Sequence, residues 1–382
     1  MPTQASDRKR VAIICQTDAF ANGIRPPQLK RFLEERGHIV SLVDTALLSR
    51  ASHTPGTLAS KLPGWTPRTI ALYATEAALA LLTRRWGFGR RHLSYHVLMA
   101  DHRLRGAILV SSLRLDDFDL VICETPYDAG VLTVPTRART MYDCPAPWAD
   151  ELIFEGRLTA RQHAKLRRLE IGLFERVDHL AFHWESYANY ARERYPISGR
   201  NLVKLNFGCT PQAERARHAD PVRVVYLGNL SARFNNPALL ARLASLYPNI
   251  DVFGGPPPDP RLGLNYLGYT PSLDVLRGYQ VGLVTCSNDP LRQYGFSSKH
   301  LAYFSYGLPV LVPAWRRHLD LLQGSIPYDE QNFLSLIESL SDKRRWQTIS
   351  DDAYAQAKRL DWDQTLRPLE TLLGSLPARA SS

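Results

Sequence analysis

The chain has 382 residues, of which 45% are hydrophobic and 22% are charged, and this composition excludes a disordered or fibrous protein. A chain of this length exceeds the size at which a single hydrophobic core stops growing, so two domains are expected. The formal net charge of +10 favours an acidic partner, such as a phosphate compound, an anionic membrane or a nucleic acid.

The five cysteines are widely spaced and form no C-x-x-C pair, which favours a reducing compartment. The first ten residues, MPTQASDRKR, lack the apolar segment of a signal peptide. No apolar run approaches the ~20 residues of a membrane-spanning helix. We therefore expect a cytoplasmic protein.

The first half of the chain predicts strands that alternate with helices. The strand RVAIICQ precedes a helix that Pro26 and Pro27 open and Gly37 ends, and the strand HIVSLVD follows. Thr159 and Gln162 have the spacing of a capping box at the start of a later helix. Further strands are predicted at 119–124, 139–144, 178–183 and 201–207.

The stretch 208–221 is polar, contains two prolines and has no apolar periodicity, which predicts a domain linker. A second alternation of strands and helices begins at VRVVYLG, residues 222–228. The fold class predicted is α/β, with two doubly wound, Rossmann-like domains, 1–207 and 222–350, facing across a cleft. A helical tail, 351–382, is expected to cross back to the first domain. Ligands of such sheets bind at the carboxyl ends of the strands.

The segment SSKHLAYFSYGLPVLVP, residues 297–313, follows a long loop after the strand QVGLVTC. Ser297 and Ser298 are placed to begin a helix that Gly307 ends. The N–H groups of its first turn, the serine hydroxyls and the charge of Lys299 would attract a pyrophosphate. The alternative is that Ser298 is only a helix cap and Lys299 a solvated side chain.

This segment, in which Gly-Leu-Pro-Val follows Lys299 by eight residues, resembles the donor-binding helix of GT-B glycosyltransferases. It is similar in particular to the membrane-associated glucuronosyltransferase family of xanthan synthesis. A fold-level likeness extends to the first βαβ unit, to VYLGNLSARFNNPALL and to LDWDQTLRPLETLL. The resemblance implies a bacterial hexosyltransferase of polysaccharide biosynthesis, with a UDP-sugar or GDP-sugar as substrate and no cofactor.

The chain departs from the family pattern at one informative place. Retaining GT-B enzymes usually carry two glutamates around this loop and helix, and the matching positions here are Tyr294 and Ala302. The departure favours an inverting displacement. A retaining transferase, a sugar-nucleotide epimerase and a non-catalytic nucleotide-sugar-binding protein remain alternatives.

An inverting transferase needs a group that takes the proton of the acceptor hydroxyl. Asp143, at the end of the strand RTMYDC, is the first candidate, with Asp150 and Glu151 shortly after it. The position that matches the related family's catalytic aspartate is Ala146, which carries no carboxylate. Each candidate could instead be structural, and so could the two others that follow strands, Asp18 and His183.

Other polar residues near strand ends are candidates for contacts with the phosphates, the base or the sugar of the donor, although each could be an ordinary loop residue. They are Arg233, Asn229, Tyr269, Arg292 and Tyr294.

The sequence Asp117-Phe-Asp119 has the D-x-D pattern of metal-dependent transferases. It precedes its strand, at the end away from the expected site, where aspartates commonly form turns. The chain also lacks an evident cluster of His and Cys ligands. We therefore predict no metal.

The segment 57–115 holds nine Lys and Arg residues against two acidic residues. Its part 65–91 combines an apolar stretch with aromatic residues and flanking arginines, which is typical of a helix that lies in a membrane surface. We expect peripheral association with anionic lipid at the inner face of the plasma membrane, and a lipid-linked or glycan acceptor. The alternative is a solvated helix pair; no nucleic-acid-binding motif is recognisable. The predicted membrane-facing residues are Trp65, Arg84, Arg85, Trp86, Arg90 and Arg91.

Overall fold

The structure is a computed structural model. It describes residues 8–15, 24–44, 99, 103, 106–107, 109–110, 113–197, 201–230, 233–295, 297–316 and 322–377. The chain divides into two compact units. The first unit is Met1–Asn206 with Leu366–Ser382, and the second is Phe207–Thr365.

The described strands and helices are numbered in chain order. The strands are β1 Arg10–Cys15, β2 Ile39–Asp44, β3 Leu120–Cys123, β4 Arg139–Cys144, β5 His179–Phe182, β6 Asn201–Val203, β7 Val224–Leu227, β8 Ile250–Phe253, β9 Asn265–Tyr266, β10 Val281–Leu283, β11 Val310–Pro313 and β12 Ser325–Tyr328. The helices are α1 Arg25–Glu35, α2 Trp148–Phe154, α3 Ala160–Arg176, α4 Glu185–Arg194, α5 Pro237–Leu246, α6 Pro290–Tyr294, α7 Ser298–Ser305, α8 Phe333–Ser341, α9 Lys343–Arg359, α10 Trp362–Thr365 and α11 Arg367–Ser375.

The first unit is built on a parallel sheet with the strand order β2-β1-β3-β4-β5-β6. All residues of β3 are buried, as are the last five of β1 and of β4. Such burial on both faces explains why these strands are nearly continuous apolar runs in the sequence. The strand order reverses between β1 and β3, since β2 lies on one side of β1 and the later strands lie on the other.

The second unit is also built on a parallel sheet, with the order β9-β8-β7-β10-β11-β12. This is the order of the Rossmann fold, in which the first three strands run outward on one side and the next three on the other. Its reversal lies between β7 and β10. Ligands of open α/β sheets bind at this switch point, beyond the carboxyl ends of the strands.

The local signals of the first half are confirmed. Gly37 has a φ of +84° just beyond α1, as a glycine that ends a helix should. The capping box of α3 is complete, because Thr159 Oγ1 accepts from Gln162 N (3.3 Å) and Gln162 Oε1 accepts from Thr159 N (2.8 Å).

The stretch 208–221, predicted as a linker, belongs instead to the second unit. The backbone N–H groups of Cys209, Gln212 and Ala216 donate to the carbonyls of Leu360, Ser305 and Tyr306, each at 2.9 Å. These backbone bonds hold the stretch in place without an apolar stripe, which is why its composition was misleading. The boundary near the carboxyl terminus also shifts, from the predicted residue 351 to Leu366.

Candidate functional site

Helix α7, which carries the serine–lysine segment, is fixed against the switch point of the second sheet. The hydroxyl of Tyr303 accepts a hydrogen bond from Leu227 N of β7 (2.8 Å) and donates one to Leu283 O of β10 (3.2 Å). A Cβ on Gly282 would lie 2.3 Å from the Tyr303 ring, so only a glycine lets the ring lie this close to β10. The first turn of α7 therefore has a defined place at the carboxyl edge of the sheet.

Lys299 lies in that first turn and is partly buried. Its ammonium group donates to Tyr226 Oη at 2.9 Å and to Asn235 Oδ1 at 3.4 Å, and it lies 4.1 Å from the centroid of the Tyr226 ring. Gly228, with a φ of +132°, has no side chain, and a Cβ there would come within 3.0 Å of Lys299 Nζ. Within the described residues, no carboxylate forms an ion pair with Lys299.

The loops that follow β7 and β10 are joined by hydrogen bonds next to Lys299. Ser287 N donates to Phe234 O (2.9 Å), and Thr285 Oγ1 donates to Asn235 O (2.6 Å). Asn236, with a left-handed φ of 48°, caps α5 through Leu239 N and donates to Cys286 O (3.3 Å). Hydrogen bonds between the loops on the two sides of the switch point thus fix the backbone next to Lys299.

Arg316 adds a second cation that the sequence analysis missed. It follows β11 and is 8% exposed, and its buried Nε and Nη1 atoms have no hydrogen-bond partner among the described residues. Across the ranges that the structure describes, it has no ion pair either. A buried guanidinium normally pairs with an anion or with several acceptors. The general expectation that residues after strands form the site would have pointed to it.

Lys299 and Arg316 act on each other electrostatically. Burial lowers the pKa of Lys299 to about 7, the nearby Cys286 opposes this shift, and the Arg316 charge adds to it. Burial and then Arg316 also hold the pKa of His300 well below its usual value. An anion beside Lys299 would favour its ammonium form and offset the repulsion from Arg316.

The predicted donor-binding residues are placed as follows. Ser297 is the N-cap residue of α7, and its side chain makes no capping hydrogen bond, while Ser298 is the first helical residue. Asn229 follows Gly228, and its carbonyl accepts from the side chain of Asn235 (2.5 Å). The backbone of Arg233 begins the turn Arg233–Asn235.

The remaining donor-binding candidates are Tyr294, Arg292 and Tyr269. Tyr294 is buried at the end of α6, and the Arg292 guanidinium lies over the Phe234 ring at 4.1 Å. Tyr269 is 67% exposed beyond the edge strand β9, which β8 separates from β7. Among the described residues, no hydrogen bond or ring contact joins Tyr269 to Lys299, so its role in donor binding stays a prediction.

A second polar cluster lies at the carboxyl edge of the sheet in the first unit. Asp143, at the end of β4, is fully buried and accepts from Arg25 Nε (2.7 Å) and Nη2 (3.2 Å). His183, after β5, places Nε2 3.7 Å from Asp143 Oδ1. Burial lowers the pKa of His183 to about 3. Both oxygens of the predicted base are thus engaged by one arginine.

Glu124 belongs to the same cluster and was also missed. It directly follows β3, is 1% exposed, and its nearer oxygen lies 3.9 Å from Arg25 Nε. Neither oxygen has a hydrogen-bond partner in the described part of the chain. Burial, and then the charge of Asp143, raise its pKa well above the usual value despite Arg25. Its surroundings therefore favour the protonated, neutral form of Glu124.

Asp150 and Glu151 lie elsewhere, on α2. Asp150 accepts from Tyr190 Oη (2.8 Å) and contacts His163 Nε2 (2.6 Å). These partners differ from those of Asp143, so Asp150 does not support Asp143 directly.

The D-x-D aspartates have structural contacts. Asp119 Oδ2 accepts from Arg10 N (2.6 Å), and Asp117 ends the turn Leu115–Asp117. Among the described residues, no group of three or more His, Cys, Asp or Glu side chains could hold a metal ion. The absence of a metal stays a prediction.

The membrane-facing residues and Asp18 lie outside the described residues. Those predicted to face the membrane are Trp65, Arg84, Arg85, Trp86, Arg90 and Arg91. Within the ranges described above, no helix combines the length and hydropathy needed to cross a bilayer.

No family model matches the chain, and no curated protein sequence matches it. Several solved structures match the chain. The sucrose-phosphate synthase of Thermosynechococcus elongatus matches over 96% of this chain and 98% of its own, with a TM-score of 0.64 and 13% identity. The lipopolysaccharide outer core galactosyltransferase WaaB matches over 96% and 99%, with a TM-score of 0.58 and 10% identity. The chain has the GT-B fold.

The GT-B fold is thereby confirmed as predicted. The pneumococcal O-GlcNAc transferase GtfA, solved with UDP and GlcNAc, matches over 72% of this chain with a TM-score of 0.51 and 14% identity. The chain spans 60% of the length of that GtfA structure. At such identities these GT-B likenesses establish the fold alone. The resemblance to the xanthan family stays a prediction.

Proposed function

We propose that the protein is a glycosyltransferase that transfers a hexosyl group from a nucleotide sugar to a lipid-linked or polysaccharide acceptor. The observation that carries the proposal is the pair Lys299, at the switch point of a Rossmann-type sheet, and Arg316, after the nearby strand β11, two cations that form no ion pair among the described residues. The first turn of α7 adds backbone N–H donors at the same place. A diphosphate provides the charge and the acceptors that this site needs.

The same groups suit the chemistry of transfer. When the bond between the sugar and the diphosphate breaks, negative charge develops on the departing phosphate oxygen. Lys299, Arg316 and the N-terminus of α7 would stabilise that charge from fixed positions. In this proposal they supply the stabilisation that a divalent ion supplies elsewhere, which supports a metal-independent reaction.

The acceptor and the stereochemistry are proposed from the sequence. Tyr294 and Ala302 stand where retaining enzymes usually carry glutamates, which supports an inverting displacement. The basic, aromatic segment 65–91 supports a peripheral position at the inner face of the plasma membrane, where a lipid-linked acceptor would be at hand.

A thermal-shift series tests donor binding, because a ligand that binds only the native state raises the melting temperature. We expect one of UDP-, GDP- or dTDP-sugars to raise it, and Lys299→Ala or Arg316→Met to abolish the increase. Lys343→Ala is the matched control, since Lys343 also begins a helix of the second unit but is exposed. An undiminished increase in Lys299→Ala would remove Lys299 from the site.

One observation favours the second candidate function, a nucleotide-sugar-binding protein without turnover. Asp143 is fully buried and both of its oxygens accept hydrogen bonds from Arg25, an arrangement typical of a structural ion pair. Release of the nucleoside diphosphate, measured with the bound donor and a lipid extract, separates the two functions. Turnover in the wild type that is lost in Asp143→Asn supports the transferase, whereas donor binding with no release in any acceptor mixture supports the binding protein.

A further inference from the structure

We propose that the first unit holds a separate site for an anionic phospholipid, in a pocket lined by α3, by Arg103, Gly106, Ala107 and Val110, and by residues between 130 and 134. The pocket has a volume of about 780 Å³, within the range of about 300–1,000 Å³ typical of ligand sites. Its lining includes three arginines and three apolar side chains. These are Arg103, Arg168, Arg176, Val110, Leu169 and Leu173.

One face of α3 forms a wall of this pocket. Its lining residues recur every three or four positions, which places them side by side on the helix. Gly172 lies among them, and a Cβ there would meet no atom within 4 Å. A glycine inside a helix costs about 1 kcal/mol relative to alanine, and nothing packs against this one. The missing side chain therefore keeps the pocket open.

The chemistry of the lining selects an amphipathic anion. No acidic residue is among the described lining, and Arg103, Arg168 and Arg176 form no ion pair within the described part of the chain. Guanidinium groups match the geometry of phosphate oxygens and bind them with paired hydrogen bonds. A free phosphate would leave the valine and leucine side chains in contact with water, whereas the alkyl chain of a phospholipid would cover them.

The site is distinct from the polar cluster around Asp143. Thr133 and Val134 precede β4, and Arg176 precedes β5, so this part of the pocket lies at the amino edge of the sheet. Asp143 and Glu124 lie at the carboxyl edge. The lipid site accordingly does not rest on the transferase proposal, and its test uses binding alone.

Isothermal titration of the full chain with water-soluble, monomeric lipids tests the ligand class. We expect dihexanoyl phosphatidylglycerol to bind at least about tenfold more tightly than glycerol phosphate, inorganic phosphate or dihexanoyl phosphatidylcholine, since each of these lacks the chains or the net charge. Equal binding of inorganic phosphate, or no binding of phosphatidylglycerol, would overturn the proposal.

Gly172→Leu tests the pocket itself, because the new side chain fills open space and favours the helix. We expect it to weaken phosphatidylglycerol binding by about tenfold or more. Gly374→Leu is the matched control, since Gly374 is a glycine of α11 whose Cβ position is equally open. Wild-type affinity in Gly172→Leu would show that the lipid binds elsewhere.

The charge requirement is tested with a double variant. Arg168→Gln with Arg176→Gln should weaken binding about 10- to 30-fold, as expected for two cations near a lipid phosphate. Arg344→Gln with Arg345→Gln removes two exposed arginines of α9 and should leave the affinity unchanged. An equal loss in both pairs would indicate attraction by net charge and would contradict a specific pocket.

Discussion

At the scale of single residues, the proposed donor site depends on two charges that form no ion pair with any residue the structure describes. Lys299 contacts a phenol and an amide rather than a carboxylate, and burial with the help of Arg316 brings its pKa to about 7. Such an arrangement costs stability, and a site of this kind is expected where a ligand supplies the missing charge. Two consequences depend on individual ionisable groups.

Nucleotide-sugar affinity should fall as the pH rises through 7. A diphosphate beside Lys299 favours the ammonium form, so binding takes up a proton once the free amine predominates. Between about pH 6 and pH 8 we expect the affinity to weaken by up to about tenfold. The groups that face Lys299 are Tyr226, Cys286 and Arg316, and burial raises the pKa values of the first two. Titration calorimetry measures how the donor affinity changes with pH, and Lys299→Met should remove this pH dependence. A pH dependence that persists in the variant would show that another group causes it.

Glu124 should make the protein less stable as the pH rises. Its folded pKa is raised well above the ordinary 4.5 by burial and by Asp143. Below about pH 4.5 both states carry the proton; above it the unfolded state releases the proton first, so stability is lost. Glu124→Gln should therefore gain stability over the wild type with rising pH, by at most about 1.4 kcal/mol per pH unit. Urea unfolding at several pH values measures this, with the exposed Glu338→Gln as control; a difference that stays constant with pH would contradict the raised pKa of Glu124.

At the scale of elements, α7 is the element on which the site depends. Its place is set by a tyrosine that bonds two strands at once and by a glycine that admits the ring. The short helix is thus positioned by tertiary contacts more than by its own eight residues, which are too few to be helical alone. The contacts of Tyr303 and Gly282 therefore fix the position of the serine–lysine turn.

Gly282→Ala should displace α7. The new methyl group would lie 2.3 Å from the Tyr303 ring, and such overpacking costs about 1–3 kcal/mol or more. We expect lower stability in urea and a loss of the donor-dependent thermal shift, since Lys299 moves with the helix. Gly374→Ala, at an open helical site, should instead be neutral or stabilising by about 1 kcal/mol. Wild-type donor binding in Gly282→Ala would contradict the expectation that donor binding depends on this position of α7.

At the scale of the whole molecule, the chain leaves the first unit at Asn206 and returns to it at Leu366. The returning segment is integrated there. Lys9 Nζ donates to the carbonyls of Leu376 (3.0 Å) and Pro377 (3.2 Å), and Leu369 and Leu373 are buried. The first unit therefore contains residues from both ends of the chain.

Deletion of residues 366–382 should destabilise the first unit selectively. The buried amine of Lys9 would lose both acceptors, and the apolar contacts of α11 would be exposed. We expect faster hydrogen exchange in β1 and β2, with little change in β7 and β10, as measured by mass spectrometry. Equal exchange in β1 and β2 with and without the segment would show that it adds no stability there.

The sequence predicted some elements of the structure and missed others. RTMYDC was predicted as the strand 139–144, and β4 is Arg139–Cys144. The capping box of α3 was also predicted, since it depends on residues three positions apart. In contrast, β9 and β12 were not predicted, because β9 has two residues and β12 contains a proline, and both lie at edges of the sheet.

The sequence predicted only part of the candidate site. The serine–lysine segment was found because its helix start, charge and glycine lie within about ten residues of one another. Arg316 was missed because its burial and lack of acceptors depend on the packing around it. The roles of Asp143 and Glu124 depended on Arg25, which is 118 residues from Asp143 in the sequence.

The sequence by itself determined the α/β class and the two Rossmann-like halves, and it predicted that the segment at 297–299 binds phosphate. These follow from apolar periodicity, helix caps and charge, all of which act between residues close along the chain. Only the tertiary structure decided which charges lie together without partners, that 208–221 belongs to the second unit, and that α3 borders a pocket. Pairing and burial depend on which strands become neighbours, and residues far apart in the sequence meet only after the sheets form.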